Sequence, residues 1–505
     1  MTAKTLMIQG TASGVGKSIL VTALCRIFKQ EGLRVAPFKS QNMALNSFVT
    51  SSGEEMGRAQ VVQAEAAGLE PSVDMNPILL KPEANSRCQV VVMGKPDMTL
   101  TAGKYGRYAP KLIPVVKEAL NRLRSAYDMV IIEGAGSPAE VNIKENEIVN
   151  MHIARLAEAP VLLVGDIDKG GVFASLVGTL ALLDEAEKDY IKGFIINKFR
   201  GDIAILQPGL DYLEEYTSRP VIGVIPYYHD ILIPEEDSVY LGVSARSEDT
   251  DGVIDIAVIH LPRLSNSTDF EPLQQESGVM VRYVKTAYEL GYPDAIILPG
   301  TKSTIADLAH LRRSGLAESI IHQAKSGTPV IGICGGFQML GKVIKDPHGA
   351  ESDEDSIAGL GLLDVVTVFQ PQKTTRQVRA QVLSKEGLLE GLQGEEVSGY
   401  EIHMGQTMGN DTRPLFSITQ KEGKADHVDG AMARDGFIFG SYLHGLFDNA
   451  NFRHAFLSKL RQRKGLSSIT KQTIASRQKQ YDELAEIVRH SLNMELIYKI
   501  CGLKV

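Results

Sequence analysis

The sequence predicts an α/β protein made of two doubly wound domains, and three observations support this fold class. Short apolar runs alternate with amphipathic helical segments in both halves, as in sheets whose parallel strands are buried on both faces. In each half a glycine-rich turn follows a buried strand and precedes a helix, around Lys17 in the first half and Cys334 in the second. A polar stretch, SARSEDTDG, separates the halves and is a candidate linker.

Length and composition agree with two large domains. The chain has 505 residues, of which 44% are hydrophobic and 23% charged, a balance that allows sizeable cores. Its net charge of −8 argues against broad electrostatic binding to nucleic acid or anionic membrane. No apolar run has the length of a membrane span or of a signal-peptide core. We therefore expect a cytoplasmic protein with no nucleic-acid or membrane partner.

Six short apolar runs predict the strands of the first domain. The first runs from Thr5 to Gln9, and Leu20, Leu24 and Ile27 then fall at helical spacing. The others are residues 33–38, 129–133, 161–166, 194–197 and 221–225. We expect this first domain to cover residues 1–240 and the linker to cover 241–252.

The second domain, expected over residues 253–505, begins with another α/β series. Residues 254–259, 295–299 and 329–333 read as buried strands. Residues 363–369 and 437–442 alternate more, which predicts a mixed sheet. The tail after about residue 451 is rich in Lys, Arg, Gln and Leu and predicts helices that close this second domain.

The turn GTASGVGKS, residues 10–18, predicts a phosphate-binding loop. Glycines such as Gly14 and Gly16 let backbone N–H groups point at phosphate oxygens, and the next helix adds a favourable dipole. Lys17 can neutralise phosphate charge, and the Ser18 hydroxyl can bind Mg²⁺. The alternative is an incidental GKS in a glycine-rich turn, which the flanking strand and helix disfavour.

The first glycine of this loop lies one residue earlier than in the simple GxxxxGKS pattern, and the longer loop resembles that of dethiobiotin synthetase and its relatives. Those enzymes activate a carboxylate with ATP and Mg²⁺. The resemblance implies that Lys39 lies near the reacting phosphate, that Glu133 binds Mg²⁺ and that Asn197 binds the adenine edge. For Lys39 a solvated surface lysine is the alternative.

A second motif, PVIGICGGFQ over residues 329–338, predicts a nucleophile elbow at Cys334. A helix begins directly after the cysteine, which lowers a thiol pKa, and the Gly335 N–H can stabilise an oxyanion. The alternative is a buried cysteine that serves as a small hydrophobic residue. Cys25, Cys88 and Cys501 have no comparable setting, and their spacing indicates neither a disulfide framework nor a zinc site.

A cysteine nucleophile needs a base, for which His444 in GSYLHG is the first candidate and His403 in GYEIHMG is the rival. The elbow, a strand followed by Pro-Gly and a late histidine together resemble the class I glutamine amidotransferases. This resemblance implies a second oxyanion donor near Gly300. That class usually has Glu two residues after the histidine, whereas this chain has Leu446, so the third member of a triad is left open.

The order of the two domains resembles the corrinoid amide synthetases over nearly the whole chain. The segments with this resemblance include PFKSQNMALNS, EGAGSPAEVN, GDIDKGGVFAS, LPGTKST, GICGGFQMLG and SYLHGLFD. The absence of Glu after His444 is itself a trait of the branch that amidates the b, d, e and g carboxylates of adenosylcobyrinic acid a,c-diamide to give adenosylcobyric acid. The resemblance implies ATP, Mg²⁺, glutamine and a corrinoid as reactants, without a tightly bound organic cofactor.

Two alternatives remain at this stage. One is the sister enzyme that amidates the a and c carboxylates, and the other is a nucleotide-switched interaction ATPase with an inactive amidotransferase-like module. Gln41, Asn42 and Asn46 are candidate corrinoid contacts, although ordinary loop polarity explains them as well. The order of amidations and the ammonia route are open, and a homo-oligomer is compatible with the sequence.

Overall fold

The computed structural model describes residues 2–84, 86–228, 252–352, 354–409, 413–419, 425–467 and 477–503. The strands of the first half are β1 Lys4–Gly10, β2 Val35–Phe38, β3 Gln41–Met43, β4 Ser47–Val49, β5 Glu55–Gly57, β6 Ile78–Pro82, β7 Arg87–Val92, β8 Lys95–Thr101, β9 Met129–Glu133, β10 Val161–Asp166, β11 Ile191–Phe199 and β12 Val221–Pro226. The helices of this half are α1 Lys17–Gln30, α2 Arg58–Ala67, α3 Ala102–Tyr108, α4 Ile113–Ala126, α5 Met151–Ala157, α6 Val172–Leu182, α7 Glu185–Lys188 and α8 Ile203–Thr217.

The first domain is a doubly wound parallel sheet, as the sequence predicts. Its strand order is β12-β11-β10-β1-β9-β2, and each pairing in it is parallel. Separate apolar clusters cover the two faces, which explains why β9 and β10 are buried along their whole length. The carboxyl ends of β1, β2 and β9 therefore meet at one edge of the sheet, where ligands bind in such folds.

A smaller four-stranded sheet, ordered β3-β6-β7-β8, and the hairpin β4-β5 lie between β2 and α3. The sequence analysis did not predict these strands. Strands β3, β4 and β5 have three residues each, and the apolar runs in β6 and β7 are only three residues long.

The second half contains β13 Ile254–Ile259, β14 Val279–Val284, β15 Ala295–Leu298, β16 Val330–Ile333, β17 Val343–Lys345, β18 Ser356–Ala358, β19 Val365–Val382, β20 Glu396–Gly409, β21 Phe416–Thr419, β22 Ala425–Asp429, β23 Ala431–Met432 and β24 Ile438–Ser441. Its helices are α9 Glu271–Gln274, α10 Ala287–Leu290, α11 Thr304–Arg313, α12 Leu316–Lys325, α13 Gly335–Leu340, α14 Ala450–Arg463, α15 Arg477–Ser491 and α16 Met494–Cys501.

The second domain has two sheets where the sequence predicted one mixed sheet. The central sheet is ordered β14-β13-β15-β16-β24-β23, with only the edge strand β23 antiparallel. The second sheet is ordered β18-β17-β19-β21-β22, and β20 also pairs with β19. The predicted strand at 437–442 is buried in the central sheet as β24, whereas the one at 363–369 begins β19 of the other sheet.

The predicted assignment of the whole tail to the second domain is wrong from α15 onward. Helix α14 does pack in the core of the second domain, through Phe452 and Phe456. Helices α15 and α16 instead pack on the first domain, where Tyr481 and Leu484 join the cluster formed by α1 and β1. A helical apolar stripe predicts that a face is covered, but it does not say which domain covers it.

The predicted linker at 241–252 falls almost entirely on residues 229–251, which lie outside the described residues. The boundaries at 240 and 253 therefore stay predictions. Within the described ranges, no helix is both long and apolar enough to span a bilayer.

Candidate active site

The phosphate loop joins β1 to α1 and wraps around the Lys17 side chain. Lys17 Nζ donates to the carbonyl oxygens of Ala12, at 2.9 Å, and Gly136, at 3.2 Å. Gly16 has φ 97°, and a Cβ there would clash with the side-chain amide of Asn197, so only glycine fits. The loop thus places a buried ammonium and the first N–H groups of α1 at the sheet edge, an arrangement suited to phosphate.

Glu133, at the end of β9, connects several predicted site residues. Its Oε1 accepts from Ser18 Oγ and from Lys39 Nζ, each at 2.9 Å, and its Oε2 accepts from Gln63 Nε2 at 2.5 Å. Burial raises the pKa of Glu133, but the Lys39 ammonium and the hydrogen bonds outweigh it and hold the pKa below its ordinary value. Lys39 is 2% exposed, which excludes the solvated surface lysine.

The oxygens of Ser18 and Glu133 fit a magnesium ion that is held mainly by a nucleotide. Mg²⁺ usually takes one or two protein oxygens together with phosphate oxygens and water. No cluster of three or more His, Cys, Asp or Glu side chains that could hold a metal ion exists among the described residues. The fit therefore depends on the nucleotide and not on a protein cage.

Asn197, near the end of β11, lies against the phosphate loop. Its Nδ2 donates to the Val15 carbonyl at 2.8 Å. Its buried Oδ1 accepts no hydrogen bond from the described residues. A buried acceptor without a donor is costly, and the exocyclic amine of adenine is a donor of the right kind.

A cavity of about 400 Å³ opens beside this cluster and is lined by Lys17, Ser18 and Lys39. Two of the three candidate corrinoid contacts, Gln41 and Asn42, line it as well. The third, Asn46, does not: it is 7% exposed and lies at the contact between the domains.

Cys334 lies between β16 and α13 with φ 50° and ψ −108°, a left-handed conformation that is strained for a residue with a side chain. A Cβ on Gly336 would clash with the Leu298 carbonyl, which explains the glycine in this tight turn. The elbow therefore has the geometry that the sequence predicts, with the thiol at the start of a helix.

His444 and Asp269 complete a chain of three side chains with Cys334. Cys334 and His444 line the same cavity, and His444 Nδ1 lies 2.6 Å from Asp269 Oδ2. Asp269 Oδ1 also accepts from the Gly445 N–H at 3.0 Å. Burial lowers the pKa of His444, but Asp269 and Cys334 outweigh it and raise the pKa to about 10, so the ring is an imidazolium at neutral pH.

The sequence analysis missed Asp269. This residue precedes His444 by 175 positions and lies in a short turn after β13, Ser267–Phe270. In the family pattern the carboxylate is close to the histidine in sequence, so the position of Leu446 gave no indication of it. Only the packing of this turn against residues 444–448 brings the carboxylate to the imidazole.

The rival histidine, His403, is engaged elsewhere. Its Nδ1 donates to the Gly405 carbonyl at 2.8 Å, and its ring stacks on Tyr442 with centroids 3.8 Å apart. Burial lowers its pKa to about 4, so it is neutral. His403 lines the Cys334 cavity, but His444 is the histidine whose pKa Asp269 and Cys334 raise.

Both predicted oxyanion glycines border the cysteine–histidine pair. A Cβ on Gly300 would lie 3.0 Å from His444 Cε1. A Cβ on Gly335 would lie 3.1 Å from the backbone nitrogen of Thr301. The first N–H groups of a helix have no partner within it, which makes the Gly335 N–H a suitable oxyanion donor.

The contact between the domains reaches His444 directly. Ser267 N donates to Asn46 Oδ1 at 3.0 Å, and Ser47 N donates to Asn266 Oδ1 at 2.9 Å. The Tyr400 hydroxyl donates to the Ser47 carbonyl at 3.2 Å, and its ring stacks on His444 with centroids 5.2 Å apart. We call these residues, 46–47, 266–267 and Tyr400, the interdomain clamp.

Comparisons with known families match both halves of the chain. Residues 6–238 match the CobQ/CobB/MinD/ParA nucleotide binding domain, and residues 255–452 match the CobB/CobQ-like glutamine amidotransferase domain. The two matches agree with the two sites described above.

Full-length relatives are also similar. A protein of Dehalococcoides mccartyi strain CBDB1 named cobyric acid synthase is 57% identical over 500 residues, which cover 99% of each chain. Proteins of the same name from Sorangium cellulosum and Desulforamulus reducens are 53% and 52% identical. The matched regions cover 100% and 99% of this chain, and 99% and 98% of those relatives.

Proposed function

Because the chain belongs to the cobyric acid synthase family, we propose that it amidates the b, d, e and g carboxylates of adenosylcobyrinic acid a,c-diamide, using ATP and glutamine for each amide. The observation that carries this proposal is the presence of two complementary sites in one chain. The Cys334–His444–Asp269 chain suits release of ammonia from an amide, and the Ser18–Glu133–Lys39 cluster suits phosphoryl transfer to a carboxylate.

In the glutaminase half, Cys334 attacks as the thiolate paired with the His444 imidazolium, and its sulfur forms a C–S bond with the side-chain amide carbon of glutamine. The Gly335 N–H faces the oxyanion that develops. His444, held as an imidazolium by Asp269, gives its proton to the amide nitrogen, so the C–N bond breaks and ammonia leaves. Water then hydrolyses the thioester, and glutamate is released.

In the synthetase half, a corrinoid carboxylate oxygen attacks the γ-phosphorus of ATP, and ADP leaves. Lys17 and Lys39 neutralise charge on the transferring phosphoryl group. Mg²⁺, when bound at Ser18 and Glu133, supplies further neutralisation of the phosphate oxygens. Ammonia attacks the carbonyl carbon of the acyl phosphate, and inorganic phosphate leaves with its bonding electron pair.

Neither alternative from the sequence analysis is favoured. The full-length relatives have the name of the enzyme that makes cobyric acid and not of its sister enzyme. An inactive binding module would need no strained cysteine beside a hydrogen-bonded histidine and carboxylate.

Mass spectrometry of the corrinoid tests this proposal. Each amidation replaces OH by NH₂, so the number of mass steps counts the amidated carboxylates. We expect four steps on adenosylcobyrinic acid a,c-diamide with ATP and glutamine. No step on this substrate, together with two steps on cobyrinic acid, would instead identify the sister activity.

A further inference from the structure

The cavity that contains the Cys334 thiol also contains charged groups that the reaction steps above do not use. Its lining includes Lys81, Lys302, Lys373 and Glu351. Lys81 lies on β6 of the first domain, whereas Cys334 lies in the second. Both domains therefore enclose the cavity.

Two of these lysines share one carboxylate. Glu55 Oε1 accepts from Lys81 Nζ and Glu55 Oε2 accepts from Lys373 Nζ, each at 2.5 Å. The side chain of Glu55 is 0% exposed, and those of Lys81 and Lys373 are 5% and 11% exposed. Lys302 has its own partner, Glu83, at 2.8 Å.

The group of Lys81, Lys373 and Glu55 therefore has one positive charge in excess. Burial lowers the pKa of Lys373, with Glu55 opposing, to about 8, so its ammonium group is still mostly protonated at neutral pH. An unmatched buried charge is unfavourable unless an opposite charge comes close to it. An anionic group of a ligand in the cavity would provide that charge.

Glu351 gives the same cavity a group of opposite sign. Its Oε1 accepts from the Ile305 N–H at 2.7 Å. None of the described Lys, Arg or His side chains forms an ion pair with it, and burial raises its pKa to about 7. An ammonium group of a ligand would hold this carboxylate in its ionised form.

We propose that this cavity binds the amino-acid end of glutamine, with Lys81 and Lys373 on the α-carboxylate and Glu351 on the α-ammonium group. The side-chain amide of the same molecule then reaches Cys334. The proposal rests on the proposed function only in taking glutamine as the nitrogen donor. Its consequence is that the first domain, through Lys81, completes the glutamine site of the second.

Amides that lack one end group test each contact separately. The probes are glutamine, 4-aminobutanamide, which lacks the α-carboxylate, and glutaric acid monoamide, which lacks the α-amino group. Ammonia release from each is measured with the full-length protein and with Lys81→Gln, Lys373→Gln and Glu351→Gln. Each lysine variant leaves Glu55 one lysine partner, so its carboxylate stays paired.

We expect Lys81→Gln to lower kcat/KM for glutamine by about tenfold or more, mainly through KM, because a charge-assisted hydrogen bond is lost. For 4-aminobutanamide the change should stay within about twofold, since that probe has no carboxylate to lose a contact. Lys373→Gln should give the same pattern, and Lys81→Arg should restore most of the preference for glutamine. Glu351→Gln should affect glutamine but leave glutaric acid monoamide nearly unchanged.

Lys345→Gln, at an exposed lysine of the second domain, is the matched control and should behave like the parent protein. If the lysine variants lower kcat/KM for glutamine and 4-aminobutanamide by the same factor, their effect is structural and the assignment is wrong. If the expected pattern is seen but the corrinoid gains no amide, the assignment holds and the proposed function fails. If four amides form without the expected pattern, only the assignment fails.

Discussion

The phosphate loop and the cysteine elbow are both tight glycine-rich turns between a buried strand and a helix. They differ in which domain supplies the residues around them. Ser18, Lys39 and Gln63, which contact Glu133, all belong to the first domain. The histidine of the second site, His444, is instead covered by Tyr400, which hydrogen-bonds to Ser47 of the first domain.

This difference indicates a one-way dependence between the two half-reactions. The cluster around Glu133 contains residues of the first domain only. Changes in the second domain should therefore leave the Lys39–Glu133 ion pair intact. The geometry around His444 also depends on the interdomain clamp, so changes there should reduce glutamine use while sparing the use of free ammonia. Comparing the two nitrogen sources in each variant measures this dependence.

The largest effect is expected for Lys17→Ala, which removes the ammonium held inside the phosphate loop. Acyl phosphate formation should fall below detection, so amidation should be lost with glutamine and with ammonium alike. Lys192→Ala, at an exposed lysine of the same domain, serves as the control. Normal amidation by Lys17→Ala would show that this loop is not the catalytic nucleotide site.

Next in size is Cys334→Ala, which removes the nucleophile but fits the turn because alanine is smaller than cysteine. Glutamine-dependent amidation should fall by about 10⁵-fold or more, since no thioester forms. Amidation with ammonium at alkaline pH should continue near the parental rate, because free NH₃ replaces the missing glutaminase. Retention of parental glutamine use would contradict the role of Cys334 as nucleophile.

Asp269→Asn should reduce glutamine hydrolysis by up to about 10⁴-fold, as in other triads that lose the carboxylate behind the histidine. Burial lowers the pKa of His444, but Asp269, together with Cys334, outweighs burial and raises the pKa to about 10. In the parent protein the imidazolium is lost only as the pH rises through that value. In the variant the proton leaves at lower pH, so the alkaline limb of the pH–rate profile should move toward neutrality. An unchanged alkaline limb would contradict the assignment of Asp269 as the carboxylate that holds the proton on His444.

Much of the fold and of both turns could be predicted from the sequence because the signals are local. The predicted strands at 161–166 and 254–259 match β10 and β13 to the residue, since strands buried on both faces are continuous apolar runs. Lys17 and Cys334 lie in turns whose glycines are themselves the signal.

The parts of the fold and of the site that the sequence analysis did not predict depend on packing between distant segments. Asp269 reaches His444 only when the turn after β13 packs against residues 444–448. The apolar face of α15 fits either domain by pattern alone, and the structure pairs it with α1 of the first domain. Asn46, a candidate corrinoid contact from its place in a polar loop, is bonded across the domain contact instead.

The smallest effect, and the most direct test of the one-way dependence, is expected for Asn46→Ala. The substitution leaves the buried Ser267 N–H without the Asn46 oxygen, at a cost of about 1–3 kcal/mol. Ser267 lies two residues before Asp269, so the loss should loosen the carboxylate behind His444 and lower glutamine-dependent kcat/KM by about tenfold. The KM for the corrinoid with ammonium as nitrogen source separates the two roles of Asn46. A role in the clamp predicts no change in that KM, whereas a corrinoid contact predicts that it rises equally with both nitrogen sources.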